Sequence, residues 1–501
     1  MREQKNFYIV ILLLICSMSY SQSKYGNVWV LGITNQEQNI KGGSLLDFND
    51  DSLSVSYLDK HMDMRGSNTS VCNTDGELMF YTNGCYVANA EHKIIKGGDS
   101  VMPGLWTEFE YCDRGGYTAS NSSLALPAPC SENAYYLFML DFYIDVTDTT
   151  SFIHSSGLLY NLIDMDLDEG KGEVIINNEF VFSDTLRRGE LAATRHVNGR
   201  DWWIVVSKRN TDCFFTILLN ENGPQEPVRH CTGQLWDHDS GVMKFSPDGK
   251  YLVLSKFQNG MFVHRFDNAT GAIVFEEKFQ FTGENFPISA GLAISPNSRF
   301  VYQSGNRKLF QYDLQADNIG LSKITVAEWD GFMNPQITNF LLSHLGPDGK
   351  IYICSFQSTY NLHVIEKPDK RGVACEVKQH HIELPSLNSV SIPNMPYYGS
   401  EPDNSPCDSL LLLDTVDDLS ESEYHLVYPN PTSDYLTIEL ENGDKLVYME
   451  IRDMNGKLIQ AMKRAPYGNT VELDISDIDK GMYMVVVYTS RMILSRKFIK
   501  Q

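Results

Sequence analysis

The sequence predicts an all-β protein in two unequal parts, and three observations carry the prediction. A tight turn followed by an aromatic and β-branched run recurs at a near-constant spacing through most of the chain. Alternation of apolar and polar residues, the mark of half-buried strands, returns in a shorter block at the C-terminus. Between the two, no Lys or Arg occurs from Gln379 to Asp444.

The first element is a leader. In MREQKNFYIVILLLICSMSYSQS, Arg2 and Lys5 precede an apolar run from Phe7 to Cys16. About ten apolar residues are too few to span a bilayer as a helix, so residues 1–21 read as a secretory signal peptide. Ser19 and Ser21 are small, which places cleavage between Ser21 and Gln22. Ile15 is bulky where lipidation of Cys16 would need a small residue. No transmembrane segment is expected in the mature chain. With 501 residues, 42% of them hydrophobic, the chain can bury a large core. Its formal net charge of −23 repels phosphate backbones and anionic membranes, which excludes nucleic acid as a partner.

Residues 22–402 hold the repeats. FSPDGKYLVLSKF from Phe245, ISPNSRFVYQSG from Ile294 and LGPDGKIYICSF from Leu345 share one device, and their final serines, Ser255, Ser304 and Ser355, are 49 and 51 residues apart. Looser copies precede them, as in NTDGELMFYTNG from Asn73. Four short strands every fifty or so residues is the pattern of a propeller blade. Six copies are visible, and NVWVLGI from Asn27 joined to ACEVKQHHIEL from Ala374 would complete a seventh and leave no open edge. Roughly 54 residues per blade favours a seven-bladed β-propeller over a six-bladed one. Together with CNTDGELMFYTNGCYVANAEHKII and SIPNMPYY, these runs resemble a family of secreted Bacteroidetes propeller proteins with WD-repeat-like blades. The resemblance implies a surface or extracellular protein and no particular reaction.

Export to an oxidising compartment allows disulfides. Spacings of 13 to 21 residues suggest Cys72 with Cys85, Cys112 with Cys130, Cys213 with Cys231 and Cys354 with Cys375, leaving Cys407 unpaired. The alternative is that several are small buried thiols.

Little in the ring points to chemistry. Asp164, Asp166 and Asp168 have calcium-loop spacing, but Glu169 stands where such a loop needs Gly and Ile175 where it needs Glu. His380 and His381 lack a second ligand cluster, so no metal site and no cofactor are expected. Trp202, Trp203 and Trp236 fit either a sugar-binding mouth or the core between blades, the core being favoured. No nucleophile motif is present. The main reading is therefore a module binding a surface glycan or protein. The alternative is a hydrolase whose carboxylates, such as Glu190, Asp237, Asp239 and Asp330, converge on a cation at the central axis.

Residues 403–424 form an acidic linker. Residues 425–501 then alternate as DYLTIELE, LVYMEIRDMNGKLIQAM, TVELDISD and GMYMVVVYTS, which fits a small β-sandwich of about seven strands. This segment is similar to the type A C-terminal sorting domain carried by cargo of the type IX secretion system. The matching residues are Tyr428, Pro429, Asn430 and Pro431, the turn with Asn455, Gly456 and Lys457, then Gly481 and Tyr483, and finally Lys497 and Phe498. The resemblance implies that the secretion machinery reads residues 425–501 and that the protein is extracellular or on the outer-membrane surface.

Overall fold

A computed structural model describes residues 23–33, 42–50, 52–60, 62–99, 101–102, 112, 116, 120–141, 143–146, 151–235, 241–256, 260–281, 291–399, 426–439, 446–453, 458–462, 470–489 and 493–501. The signal peptide with Ser21 and Gln22, the linker 403–424, Cys407, Trp236, Asp237, Asp239 and the turn residues Asn455, Gly456 and Lys457 lie outside the described residues. The chain divides into two compact units, residues 1–407 and 408–501. Among the described residues, no helix is long and apolar enough to cross a membrane.

The first unit is all-β and propeller-like, with antiparallel sheets that follow one another in chain order. One sheet holds β1 (Val28–Leu31), β2 (Gly43–Asp47) and β3 (Ser54–Leu58). The next holds β4 (Thr69–Cys72), β5 (Leu78–Thr82) and β6 (Val87–Asn89). A nine-stranded sheet follows. It contains β7 (Ser123–Pro127), β8 (Ala134–Leu140), β9 (Tyr143–Val146), β10 (Ser151–Asp164), β11 (Glu173–Arg195), β12 (Trp202–Lys208), β13 (Cys213–Asn220), β14 (Gly223–Pro224) and β15 (Val228–Cys231). Three four-stranded sheets complete the unit. They are β16 (Gly241–Phe245) to β19 (Ala272–Phe279), with β17 (Tyr251–Lys256) and β18 (Gly260–Asp267) between, then β20 (Leu292–Ile294), β21 (Phe300–Gly305), β22 (Lys308–Asp313) and β23 (Ile324–Glu328), and last β24 (Ser343–Leu345), β25 (Ile351–Ile353), β26 (Thr359–Ile365) and β27 (Val377–Asn388).

The repeated turn explains where strands begin. At Ser246–Tyr251 the Ser246 hydroxyl donates to Asp248 Oδ1 (2.6 Å) and accepts from the Tyr251 amide (2.9 Å). Ser295 does the same with Asn297 (2.7 Å) and the Phe300 amide (2.8 Å). Short polar side chains thus satisfy the turn backbone and release an apolar strand in a fixed register. Gly249 and Gly349 take φ of +69° and +76° at the fourth position, where glycine is unstrained; Ser298 occupies that place with φ +59°.

The first strands of successive sheets are neighbours in the order β1, β4, β7, the end of β11, β16, β20 and β24. Trp29 of β1 meets His344 of β24 at 5.4 Å and Tyr352 of β25 at 5.4 Å, which returns the circuit to its start. The main core lies between these sheets, with Trp29, Trp202, Phe80, Phe138 and Tyr352 essentially fully buried. In β11 the register breaks between Leu186 and Leu191, so its first part pairs β10 and its last part pairs β12. Gly189, at φ +78°, sits in that break, where a Cβ would meet Ser120 O at 2.9 Å and Gly241 O at 3.0 Å.

Two expectations need correction. The run ACEVKQHHIEL does not close the ring; most of it forms β27, which pairs only with β26 among the named strands. The last sheet meets the first without strand pairing, through Trp29 on His344 and Tyr352, the Ile33 amide donating to Leu387 O (2.8 Å) and the Ser44 and Ser386 hydroxyls 2.7 Å apart. The cysteine scheme fails at three of its four pairs. Cys72 faces Leu78 in the β4·β5 ladder while Thr69 faces Thr82, so Cys85 emerges at the opposite end of β4, about 10 Å away along the strand and too far to bridge. Cys85 is bonded to Cys112 instead, which removes Cys112 from Cys130; Cys130 is itself disulfide-bonded. Cys354 and Cys375 are free and buried in different core clusters, Cys375 beside Tyr302. Cys213 faces Cys231 across β13 and β15, and these two are bonded.

The second unit is a two-sheet sandwich. One sheet has the order β28 (Leu426–Tyr428), β29 (Tyr435–Glu439), β32 (Thr470–Asp474); the other runs β31 (Leu458–Met462), β30 (Leu446–Asp453), β33 (Gly481–Thr489), β34 (Ile493–Lys500). Leu436, Ile438, Met449, Ile451, Leu473, Val485 and Phe498 fill the space between them.

Burial pushes the Cys72 and Cys354 thiols up to about 12. Alkylation of the unreduced protein is expected to label Cys72, Cys354 and Cys375 only after unfolding. Replacing Cys213 and Cys231 by Ser is expected to lower the unfolding free energy by about 3 kcal/mol in urea titrations. A non-reduced peptide map joining Cys354 to Cys375 would contradict this assignment.

Candidate functional site

The centre of the ring is occupied by the chain itself. Asn394 lies on the segment SIPNMPYYG, residues 391–399, and is 2% exposed. Its Nδ2 donates to Ser123 O (3.0 Å) on β7 and Leu191 O (3.4 Å) on β11, and its Oδ1 accepts from Lys244 Nζ (2.9 Å) on β16. Its backbone amide donates to Asn68 O (2.7 Å), and its carbonyl accepts from Thr69 Oγ1 (3.1 Å) on β4. Further along, Tyr398 OH donates to Ala125 O (3.4 Å), and its ring meets Trp202 edge-on at 5.9 Å. The Ser23 amide donates to Gly399 O (2.9 Å).

Beside this segment a cavity leaves about 70 Å³ to the centres of water-sized spheres, room for several waters. Its walls are mainly apolar, from Trp29, Leu124, Phe245, Leu292, Ile294 and Met395, and the turn residues Pro247, Gly346 and Pro347 also line it. Lys244, His344 and Asn394 are its polar side chains of note. Lys244 shows part of its surface to the cavity, yet the cavity is inside the ring, and burial pushes its ammonium down to about 7. Burial, then the neighbouring Lys244, holds the His344 imidazole well below its ordinary range.

The residues singled out in the sequence are placed elsewhere. Glu190 is fully buried, ion-paired with Lys256 and accepting from the Ser207 hydroxyl. Asp330 follows β23 and lies 2.9 Å from His380 Nε2, while His381 lies 3.8 Å from Glu366. Asp164 accepts from the Asp166 amide (2.9 Å) and Asp166 from Asn133 Nδ2 (2.8 Å), so this acidic run builds a turn. The described ligand-type cluster is Asp212 with Cys213 and Cys231, whose sulfurs are joined to each other. Trp202 and Trp203 are core residues.

A surface patch was not legible in the sequence. Phe332 stacks on His380 with centroids 4.1 Å apart, and Met333 and Phe356 are exposed. Asn339 holds the Phe356 loop, its Oδ1 accepting from the Phe356 amide (3.0 Å) and its Nδ2 donating to Asn306. Trp329 donates to Phe332 O (3.3 Å), and Arg307 sits 5.3 Å over its ring.

In the second unit, motifs at the two ends meet. The Ile499 amide donates to Asn430 Oδ1 (2.9 Å), Thr432 N donates to Ile499 O (2.8 Å), and Gln501 N donates to Thr432 O (2.8 Å). Lys500 Nζ donates to Ser433 O. Tyr483 stacks on buried Phe498 at 5.8 Å and donates to Asp479 O (2.8 Å). Residues 426–501 match a family model described as a secretion system C-terminal sorting domain. The C-terminal unit is a type IX sorting domain. Such a tail marks the chain for the cell surface or the extracellular space.

No curated protein matches the chain. Among solved structures, it is similar to a functionally unknown protein from Desulfotomaculum acetoxidans, with 12% identity over 74% of this chain and 99% of that one and a TM-score of 0.39. It is also similar to the periplasmic gluconolactonase PpgL of Pseudomonas aeruginosa (14% identity, 89% and 97% covered, TM-score 0.32). A third is PorZ, a surface component of the type IX secretion system of Porphyromonas gingivalis (11% identity, 92% and 79% covered, TM-score 0.22).

Lys244 makes stability depend on pH. Its folded value of about 7 lies below the ordinary 10.5, so between the two the unfolded chain binds more protons. The penalty is full below pH 7 and is relieved as pH rises toward 10. The change Lys244→Met is therefore expected to favour stability more at pH 6 than at pH 10, measured by urea unfolding at both. An equal effect at the two pH values would contradict the assignment.

Proposed function

We propose that this is an exported surface protein whose ring is a binding module for a glycan or a protein and whose residues 425–501 are read by the type IX secretion machinery. In this reading the mature chain begins at Gln22, residues 22–402 form the ring and residues 403–424 are an acidic tether. The ring has seven blades when the nine-stranded sheet is counted as two, divided at the register break in β11.

The observation that carries the export reading is the sorting-domain match, with Asn430 seated on Ile499 at its heart. Binding at the surface is supported by the exposed Phe332, Met333 and Phe356. Exposed aromatic faces beside amide and carboxylate groups suit sugar rings and peptide side chains alike. A hydrolase with an axial cation would need carboxylates gathered at the axis, and Glu190 and Asp330 are each engaged elsewhere.

Truncation after Glu421 is expected to leave a folded ring in the periplasm, and fusion of residues 403–501 to an unrelated periplasmic reporter to carry it outside. Normal surface levels of the truncated protein, by cell fractionation, would end the sorting reading. The double change Phe332→Ala and Phe356→Ala removes exposed rings only. It is expected to weaken retention on immobilised cell-surface polysaccharide or protein extract by about tenfold with little change in thermal midpoint. Undiminished retention would remove the patch from the binding surface.

A further inference from the structure

Three interior lysines are held in different ways. Lys256 is ion-paired with Glu190, both fully buried. Lys60, also fully buried, donates to the carbonyls of Gly32 (2.9 Å) and Met62 (2.5 Å). Lys244, half-buried, donates to one side-chain amide, Asn394 Oδ1, and faces a cavity whose lining, among the described residues, contains no carboxylate. An ammonium has three donors, and a cation taken from water without an anion is costly. The fold sustains that arrangement beside walls of Trp29, Phe245, Leu292, Ile294 and Met395.

We propose that the axial cavity binds a small organic acid, its carboxylate on Lys244 and its apolar body against Phe245 and Leu345. Mostly apolar walls with a few convergent polar groups are the general make-up of small-molecule sites. One cation beside an amide matches a monoanion. A phosphate would bring a second charge, and among the described residues that line the cavity no second cation meets it, since His344 is held neutral. Phe245, Pro247, Leu345, Pro347 and Tyr397 are lining residues that keep part of their surface open, so a molecule would reach the cavity past them. This inference is independent of the patch around Phe332.

Binding a carboxylate stabilises the ammonium form of Lys244, so the free site takes up a proton above its own titration point near 7. The other titratable groups facing the cavity are His344 on β24 and Tyr397 and Tyr398 on the axial segment, the phenols held above their ordinary value by burial. The full chain should be titrated calorimetrically with hexanoate and benzoate, with hexanamide and inorganic phosphate as probes lacking one feature each. At least one acid is expected to bind at pH 6.5, its affinity falling about tenfold per pH unit above 7, with proton uptake at pH 8 seen as a buffer-dependent heat. Lys244→Met should weaken it by about tenfold to a hundredfold. The wild-type pH dependence serves as the test if that variant does not fold. Absence of binding by both acids, equal binding of hexanamide, preference for phosphate, or affinity unchanged between pH 6.5 and 8.5 would each overturn the proposal.

Discussion

Asn394 exchanges hydrogen bonds with residues of β4, β7, β11 and β16 or their approaches, and the ring keeps its centre only while that amide stays in place. Sheets set around an axis twist away from one another, and their first strands crowd together with backbone groups facing the middle. Those groups need partners, since a buried carbonyl or amide left alone costs about 1–3 kcal/mol. Water could supply them in an open channel. Here a stretch of the same chain does so, and its prolines leave few donors of its own to satisfy.

The same requirement shapes the rest of the interior. Buried polar side chains near the ends of second strands find partners: Thr82 accepts from the Gly84 amide (3.0 Å), Ser207 donates to Glu190 and Lys256 pairs with Glu190. Ser207 and Lys256 meet on Glu190, which follows the glycine break in β11. That break lets one long strand serve two neighbours, pairing β10 with its first half and entering the circuit of inner strands with its second. The free cysteines fit this picture as small apolar fillers, Cys72 fully buried, Cys354 in the main core and Cys375 against Tyr302.

What could be read from the sequence was local. FSPDGKY and ISPNSRF announce their turns because Ser246, Asp248, Ser295 and Asn297 bond within five residues of themselves. The motifs around Tyr428 and Phe498 were legible as a sorting tail for the same reason: each is a contiguous signature. What was hidden was non-local. Asn394 sits in a proline-containing run without alternation, and its side-chain partners are 150 to 271 residues away. Cysteine spacing suggested Cys72 with Cys85, but a single strand separates them; the true partner, Cys112, lies 27 residues on. The patch around Phe332 depends on a loop meeting His380 across 48 positions of sequence, which no periodicity encodes.

The central position of residues 391–399 has a mechanical consequence. A pull on the chain beyond Gly399 is transmitted along this segment, whose bonds to Asn68, Thr69, Ser123, Leu191 and Lys244 converge on one residue. Such bonds share a load rather than opening one at a time as the rungs of a peeled edge strand would. Tension reaches several sheets together and draws them toward the axis, so the ring resists extraction from its last strand more firmly than from any sheet edge.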